Sequence, residues 1–194
     1  MKTYYDRRAP EYDEWWLGLG RFADRNRPGW DEDVARLADA IAALPPARTL
    51  DVACGTGFLT RHLRGEVVGL DASERMLEIA RERVPHGEFV HGDALDLPFG
   101  DASFDRLFTS YFYCHLGRDE RERFLAEARR TARELVVVAS VLGEGDAPER
   151  WEERVLNDGS RWSVYKRCFT GPDLAAELGG ALIHRSRYFL IVSA

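Results

Sequence analysis

The sequence lacks several features that mark specialised classes of protein. It has only three cysteines and no CxxC pair, so it indicates neither a disulfide framework nor a zinc cluster, and we expect no metal. No apolar run approaches the roughly 20 residues that a membrane-spanning helix needs. The first residues, MKTYYDRRAPEYDEWW, contain no apolar signal core. These features predict a cytoplasmic protein with no membrane partner.

An excess of positive charge is also missing. The 194 residues include 27 Lys and Arg against 33 Asp and Glu, which gives a net charge of −6. A broad nucleic-acid surface needs a basic excess, so we expect no nucleic-acid partner. An apolar fraction of 45% and a charged fraction of 31% are typical of one globular domain. Nothing in the composition indicates an oligomeric state.

Apolar strand-like runs alternate with helical patterns along most of the chain. Strands are predicted at RTLDVA, VVGLD, GEFVHGD, FDRLFTSYF and ELVVVAS, and one or two more in ALIHRSRYFLIVSA. Helices are predicted at WDEDVARLADAIAAL, SERMLEIARERV, RDERERFLAEARRTA and TGPDLAAELGG, with GFLTRHL opening another and a short one near Pro10. The stretch 143–169 has no clear pattern. This alternation predicts a doubly wound α/β sheet, which binds ligands at the carboxyl ends of its strands.

The stretch LDVACGTGF, residues 50–58, joins a strand to a glycine-rich loop. A P-loop needs GxxxxGK[ST], and this loop has no Lys. A dinucleotide loop needs GxGxxG, but the third position is Thr60. Asp51 near the strand end would repel a pyrophosphate, whereas it suits a positively charged ligand such as S-adenosylmethionine.

Two further acids follow the next two strands. Asp71 stands where a partner for ribose hydroxyls is needed, and Asp93 can accept a hydrogen bond from an adenine amino group. Met76 and Leu97 can pack against the adenine ring. Acids at three successive strand ends favour a ligand site over simple loop caps.

From about residue 48 to residue 141 the chain resembles class I S-adenosylmethionine-dependent methyltransferases of the small-molecule type, grouped with ubiquinone and menaquinone C-methyltransferases. The resemblance is carried, in order, by LDVACGTGFLT, VVGLDASERMLEIAR, FVHGDALDLPFGDASFD and FTSYFYCHL. It implies that S-adenosylmethionine is the cofactor and S-adenosylhomocysteine the product. The residues that it assigns to cofactor binding are Asp51, Ala53, Cys54, Gly55, Thr56, Gly57, Asp71, Ala72, Met76, Asp93, Ala94 and Thr109.

The resemblance also implies a single Rossmann-like domain with a seven-stranded, mostly parallel sheet. We expect FLIVSA to be its antiparallel member, next to ELVVVAS. The expected parts are an N-terminal lid (1–29), a cofactor-binding core (30–142), an insertion near the acceptor site (143–169), and a final helix with strands (170–194). The lid would bring Tyr5 and Tyr12 to the cofactor and Tyr4 and Trp15 to a small-molecule acceptor.

The opposite wall of that acceptor pocket is predicted to contain Tyr111, Tyr113 and His115. A neutral imidazole at His115 could take a proton from an acceptor, or it could simply pack near the cofactor. Two other functions remain open from the sequence. One is a regulatory module that binds S-adenosylmethionine without catalysis, and the other, which Asp51 and Thr60 oppose, is an NAD-linked oxidoreductase.

Overall fold

A computed structural model describes residues 2–194, and the first residue of the predicted segment 1–29 lies outside that range. The strands are β1 (Ala47–Val52), β2 (Gly65–Asp71), β3 (Glu88–His91), β4 (Phe104–Ser110), β5 (Ala132–Ser140), β6 (Glu149–Val155), β7 (Arg161–Arg167), β8 (Ala181–Arg185) and β9 (Phe189–Ser193). Seven of them form one sheet in the order β3-β2-β1-β4-β5-β9-β8, and β6 pairs with β7 in a separate hairpin.

The helices are α1 (Lys2–Arg8), α2 (Glu14–Leu17), α3 (Trp30–Ala42), α4 (Glu74–Arg83), α5 (Arg118–Thr131) and α6 (Gly171–Leu178). Their ends follow local chemistry. The Ser73 hydroxyl accepts a hydrogen bond from Met76 N and caps α4, as the sequence predicts. Thr170 caps α6 in the same way, with Pro172 in its first turn. None of the helices in residues 2–194 is long and apolar enough to cross a membrane.

The strand pairing confirms the predicted fold class. Strand β1 pairs in parallel with β2 and β4, and β4 pairs in parallel with β5. Strand β9 runs antiparallel to β5, with Val138 opposite Ile191, so the last apolar segment is the antiparallel member. Strand β8 then pairs antiparallel with β9 at the edge of the sheet.

Both faces of the sheet are buried at its central strands, which explains the nearly continuous apolar runs in β5 and β9. In β5, Val137 points into a core with α5 and α6 that also contains Phe124 and Leu174. Its neighbours Val136 and Val138 point into the opposite core, beneath Leu37 of α3. Successive side chains therefore alternate between two layers of helices.

Two local predictions are corrected by the structure, which also shows what the unassigned stretch contains. The segment GFLTRHL forms only a 3₁₀ turn at Thr60–His62, because β2 begins at Gly65 and leaves no room for a longer helix. The N-terminal helix starts at Lys2, well before Pro10, and a 3₁₀ turn at Ala9–Glu11 follows it. The unassigned stretch 143–169 contains the β6–β7 hairpin.

Candidate functional site

A large cavity lies at the carboxyl ends of β1, β2, β3 and β4. Its volume is about 960 Å³, and its walls come from the loops after these strands, from α1, and from the β6–β7 hairpin. Among the residues predicted to form a site, those on its surface are Tyr5, Tyr12, Ala53, Gly55, Asp71, Ala72, Met76, Asp93, Ala94, Tyr111 and His115. Residues from distant parts of the chain are therefore brought together at one edge of the sheet, as expected for this class of fold.

The loop after β1 turns sharply at the floor of the cavity. Ala53 and Gly55 both have left-handed backbones, with φ of 57° and 56°. The left-handed region strains a residue with a Cβ, so a non-glycine there is found mainly where surrounding structure holds it in place. A Cβ built on Gly55 would meet the Tyr12 ring at 3.6 Å, so the loop backbone lies close under this tyrosine.

The Asp71 carboxylate is fixed beside this loop by two backbone donors. Gly55 N donates to Asp71 Oδ2 and Ser73 N donates to Oδ1, each over 2.9 Å. Burial raises the pKa of Asp71, and the hydrogen bonds from Ser73 and Gly55 oppose that rise. Each oxygen keeps acceptor capacity beyond its one backbone donor, so the carboxylate can receive further hydrogen bonds from a ligand.

Asp51 lies behind the loop and is not on the cavity surface. It is 1% exposed, and Thr60 Oγ1 donates to its Oδ2 over 2.6 Å. Its Oδ1 is buried with no hydrogen-bond partner in the described chain. Burial raises the pKa of Asp51 to about 7. A buried carboxylate of this kind is stabilised by any positive charge brought near it.

Three other residues of the loop also lie away from the main cavity. A Cβ on Gly57 would meet Ala80 Cα of α4 at 3.4 Å, so this glycine permits close packing between loop and helix. The thiol of Cys54 is buried, and burial raises its pKa, which fits a packing role. Thr56 Oγ1 donates to Asp13 Oδ1 over 2.6 Å and so anchors the N-terminal segment.

The end of the cavity beyond β3 combines apolar surface with one acid. Met76 is 1% exposed and Ala94 is 7% exposed, and both border the cavity. Asp93 is exposed, and its Oδ1 accepts from Leu95 N over 2.9 Å. Leu97 packs in the core instead, and Leu95 takes the cavity position that the sequence had suggested for Leu97.

Two residues at and after the end of β4, Thr109 and Tyr113, do not lie on the cavity surface as the sequence had predicted. Thr109 is fully buried, and its Oγ1 donates to Val52 O over 2.8 Å, so it joins two strands behind the cavity. Tyr111 has a left-handed backbone with φ of 59° and lines the cavity. Tyr113 does not reach the cavity, because its ring is buried in the core and its hydroxyl donates to Glu177 Oε1. Phe112 lines the cavity instead.

One ring nitrogen of His115 is hydrogen-bonded to the protein, and the other has no hydrogen-bond partner among residues 2–194. Its Nδ1 lies 2.7 Å from Tyr165 O, and since a carbonyl only accepts, Nδ1 carries the proton in the neutral ring. Burial lowers the pKa of His115 to about 3, and nearby arginine and lysine charges add to that effect. The imidazole is therefore neutral near pH 7, with Nε2 unprotonated.

The N-terminal segment covers one side of the cavity and is tied to the core at two places. Ser73 Oγ donates to Asp6 Oδ1 over 2.6 Å, and Arg83 pairs with Asp13. Tyr4 is 2% exposed and packs against Leu156, Val164 and Trp162, whereas Tyr5 faces the cavity.

Trp15 packs edge-on against three other rings and also lies away from the cavity. The predicted acceptor-side positions of Tyr4 and Trp15 are therefore corrected. Both side chains pack the segment against neighbouring elements, Tyr4 against Leu156 and Val164 and Trp15 against Trp30 and Tyr111.

Several residues at the site were missed by the sequence reasoning. The tethering acids Asp6 and Asp13 follow the cavity tyrosines directly, and the dipeptide Tyr-Asp recurs at a spacing of seven residues. That spacing returns to the same helical face and could have revealed them. Other cavity residues carried no such signal: Lys2, His91, Leu95, Ser110, Phe112, Arg118, Glu149 and Ser163.

Comparisons with known proteins point to one family. A family model described as a methyltransferase domain matches residues 50–138. The chain is 30% identical over 153 residues to an uncharacterised methyltransferase of Alkaliphilus oremlandii, covering 76% of this chain and 68% of that protein. It is 41% identical over 100 residues to a demethylmenaquinone methyltransferase of Thermotoga maritima, covering 49% of this chain and 43% of that protein. The chain thus spans less than half the length of the Thermotoga maritima relative.

A solved structure extends the likeness over almost the whole chain. The structure is described as a DhpI-SAH complex, has a TM-score of 0.74 and is 25% identical in sequence. The superposition covers 98% of this chain and 92% of that protein, so it includes the N-terminal segment and the β6–β7 hairpin.

Proposed function

Because the chain belongs to the class I S-adenosylmethionine-dependent methyltransferase family, we propose that it transfers a methyl group from S-adenosylmethionine to a small-molecule acceptor. The observation that carries the proposal is the Asp71 carboxylate, held by Gly55 N and Ser73 N at the floor of a 960 Å³ cavity. This arrangement supplies acceptor oxygens for ribose hydroxyls. Asp51 near the end of β1, and Thr60 in place of the third glycine of a dinucleotide loop, favour a positively charged cofactor over a dinucleotide.

The residues present fit this cofactor by chemistry and by position. Asp71 would hold the ribose hydroxyls, and Met76 with Ala94 would give the adenine an apolar surface. Asp93 would accept from the adenine amino group. Ala53 and Gly55 would border the methionine side, above the buried charge of Asp51. When bound, S-adenosylmethionine supplies a methyl group already activated by a sulfonium.

The rest of the cavity would hold the acceptor. Its walls there are largely aromatic, with Tyr5, Tyr12, Tyr111, Phe112 and Tyr165. An aromatic or amphipathic small molecule fits such walls. The protein would mainly bring donor and acceptor together and exclude water, which supplies much of the rate in a displacement of this kind. The demethylmenaquinone methyltransferase relative is consistent with a planar acceptor.

His115 would orient the acceptor. Its Nε2 can accept a hydrogen bond from a hydroxyl or an amine of the acceptor, since Nδ1 donates to Tyr165 O. A base whose pKa is about 3 is a weak acceptor for a full proton at neutral pH. We therefore assign His115 a positioning role, ahead of the general-base role considered from the sequence.

The same proposal assigns a role to each part of the chain. The segment 1–29 would close over the cofactor, the core 30–142 would bind it, the segment 143–169 would border the acceptor, and 170–194 would complete the sheet. The hairpin residues Trp151 and Tyr165 on the cavity surface support the task of 143–169.

The test is a transfer assay with S-adenosylmethionine labelled in its methyl group and a panel of phenols, aromatic acids, amines and quinols. We expect label in at least one product, together with S-adenosylhomocysteine, and loss of both in Asp71→Ala. If S-adenosylhomocysteine binds but no panel member or cell extract fraction is ever methylated, a regulatory module replaces this proposal.

A further inference from the structure

The β6–β7 hairpin presents one face to the cavity. Four of its side chains line the cavity: Glu149, Trp151, Ser163 and Tyr165. They occupy alternate positions along each strand, and Trp151 stands opposite Tyr165 in the antiparallel pairing. Because alternate residues of a strand point to the same face, the four side chains lie on one surface. This surface forms a wall of the cavity.

The opposite face of the hairpin holds this wall in place. Val164 is 1% exposed and packs with Leu156 and with Tyr4 of α1. At the hairpin turn, Asn157 N donates a hydrogen bond to Glu11 Oε2 over 2.7 Å. The strand pair is thus supported from behind and at its turn, which fixes the position of the residues on the cavity face.

Trp151 contributes little to the packed core. It is 71% exposed, whereas Trp16 and Trp30 are 4% and 7% exposed. Its ring meets the Tyr165 ring edge-on, with the ring centroids 5.7 Å apart and the planes at 64°. Since most of the indole stays exposed, this contact leaves ring surface available to a ligand.

The location of Trp151 gives its exposure a meaning. A single exposed apolar residue is common on a protein surface. Trp151, however, borders a cavity of about 960 Å³ and contacts a second aromatic residue that lines the same cavity. Aromatic side chains that line a cavity are typical binding surfaces for the apolar part of a ligand. A ligand at this end of the cavity would remove the indole from water, which is favourable.

Tyr165 links this aromatic surface to His115. The carbonyl oxygen of Tyr165 lies 2.7 Å from His115 Nδ1, and both residues line the cavity. A ring bound against Trp151 and Tyr165 therefore lies next to the imidazole to which a hydroxyl or an amine of the acceptor would donate. The hairpin surface and the reacting group of the acceptor would be neighbours.

We propose that Trp151 and Tyr165 bind a planar aromatic ring of the methyl acceptor, so that this wall selects aromatic over aliphatic acceptors. The inference rests on the proposed function, because it names a substrate class for that same cavity. Aromatic rings in contact gain stability beyond the apolar area that they bury. A saturated ring with the same carbon skeleton buries a similar area and lacks that gain. Comparing the two kinds of ring therefore separates an aromatic-selective wall from one that is only apolar.

The test measures ring binding to the full chain saturated with S-adenosylhomocysteine. The probes are 2-naphthol and its saturated analogue decahydro-2-naphthol, titrated separately by calorimetry. We expect saturable binding of 2-naphthol and binding of the analogue that is weaker by at least about threefold. Trp151→Ala should weaken 2-naphthol binding by at least about threefold, while the affinity for S-adenosylhomocysteine changes less than about twofold. Trp151→Phe keeps an aromatic ring and should retain part of the binding.

Ile183→Ala is the matched control, because Ile183 is also an exposed apolar residue of an antiparallel strand, 49% exposed, and does not line the cavity. It should leave 2-naphthol binding unchanged. Tyr165→Leu removes the second ring but keeps the backbone carbonyl that bonds His115, and it should also weaken the probe. Replacing the exposed Trp151 should cost little stability, and circular dichroism checks that each variant is folded.

Three results overturn the inference. The first is that the chain saturated with S-adenosylhomocysteine does not bind 2-naphthol. The second is that the saturated analogue binds within about threefold of 2-naphthol, which would make the wall only apolar. The third is that Trp151→Ala weakens 2-naphthol binding by less than about threefold.

S-adenosylhomocysteine is also titrated by itself. Failure of this ligand to bind counts against the proposed function. Titration of the ligand-free chain with 2-naphthol keeps the result for the aromatic wall separate.

Discussion

Gly55 N donates a 2.9 Å hydrogen bond to Asp71 Oδ2, which joins the loop after β1 to the end of β2. This contact sets the shape of the cavity floor, because the backbone of the loop and the carboxylate are fixed relative to each other. It also leaves Asp71 with acceptor capacity toward the cavity. The candidate site therefore depends on the carboxylate for both its geometry and its chemistry.

Replacing the carboxylate of Asp71 should weaken binding of the cofactor product. In Asp71→Asn, one of the two oxygens becomes a donor, which leaves a backbone N–H or a ribose hydroxyl without an acceptor. We expect a loss of about 1–3 kcal/mol, roughly ten- to a hundredfold in affinity for S-adenosylhomocysteine. Calorimetry measures it, with Asp39→Asn on the exposed side of α3 as the control. Equal affinities in both variants would remove Asp71 from the site.

The free energy of unfolding should depend on pH through Asp51. Its pKa is about 7 in the folded protein and about 3.9 when unfolded, so between these values the folded state holds an extra proton. The stability contribution is complete below pH 4 and is lost as the pH rises toward 7, with a slope of up to about 1.4 kcal/mol per pH unit. Urea unfolding of the ligand-free protein from pH 5 to 8 should show this slope, and Asp51→Asn should flatten it. An unchanged slope in that variant would contradict the assigned pKa.

Close packing at Gly57 should make Gly57→Ala destabilising. The left-handed backbone, with φ of 72°, costs about 1–2 kcal/mol for a residue with a Cβ. The new Cβ would also lie 3.4 Å from atoms of Ala80 and Val84. Gly145→Ala is the control, since its φ is 80° and no atom of the described residues lies within 4 Å of its built Cβ. Thermal unfolding should show the larger loss for Gly57→Ala, and similar losses would mean that the contact with α4 is unimportant.

The N-terminal segment should become more protected when the cofactor product binds. A segment that closes over a cavity has to open to admit ligand, so it belongs to the less stable part of the fold. Hydrogen exchange should slow in residues 1–20 on adding S-adenosylhomocysteine. Asp13→Asn, which weakens the tie to Arg83 and Thr56, should reduce that protection, whereas Asp24→Asn at an exposed position should not. If hydrogen exchange in residues 1–20 does not change on binding, the segment only packs against the domain and does not act as a lid.

Much of the fold could be predicted from the sequence because buried strands require long apolar runs. Strands β5 and β9 are apolar on both faces, and their antiparallel pairing was expected from FLIVSA and ELVVVAS. The position of Asp71 at the cavity could be predicted because it is the last residue of β2. Sheets of this kind bind ligands at the carboxyl ends of their parallel strands.

The hairpin in 143–169 was not predicted because its pattern is not apolar. Most inward positions of β6 are charged, with Arg150, Glu152 and Arg154 half-buried in a shared ion-pair network. Because charged residues occur on both faces of β6, its sequence shows no alternation of apolar and polar residues that would predict a strand. The pairing with β7 becomes visible only when the two strands are seen side by side.

The wall after β4 was predicted only in part because the backbone leaves the strand at Tyr111. Its left-handed φ of 59° breaks the alternation that would place Tyr111 and Tyr113 on one face. Tyr113 turns into the core, and His115 reaches the cavity through the 3₁₀ turn at Tyr113–His115. The identities of the neighbouring residues do not predict that a single residue such as Tyr111 adopts a left-handed backbone conformation.

The central claim is that the cavity binds the product of S-adenosylmethionine. Calorimetric titration of the unmodified chain with S-adenosylhomocysteine, with NAD titrated in parallel, tests it most directly. The account predicts saturable binding of one S-adenosylhomocysteine per chain and no binding of NAD. Binding of NAD, or no heat of binding with S-adenosylhomocysteine and no effect of it on thermal unfolding, would contradict the account.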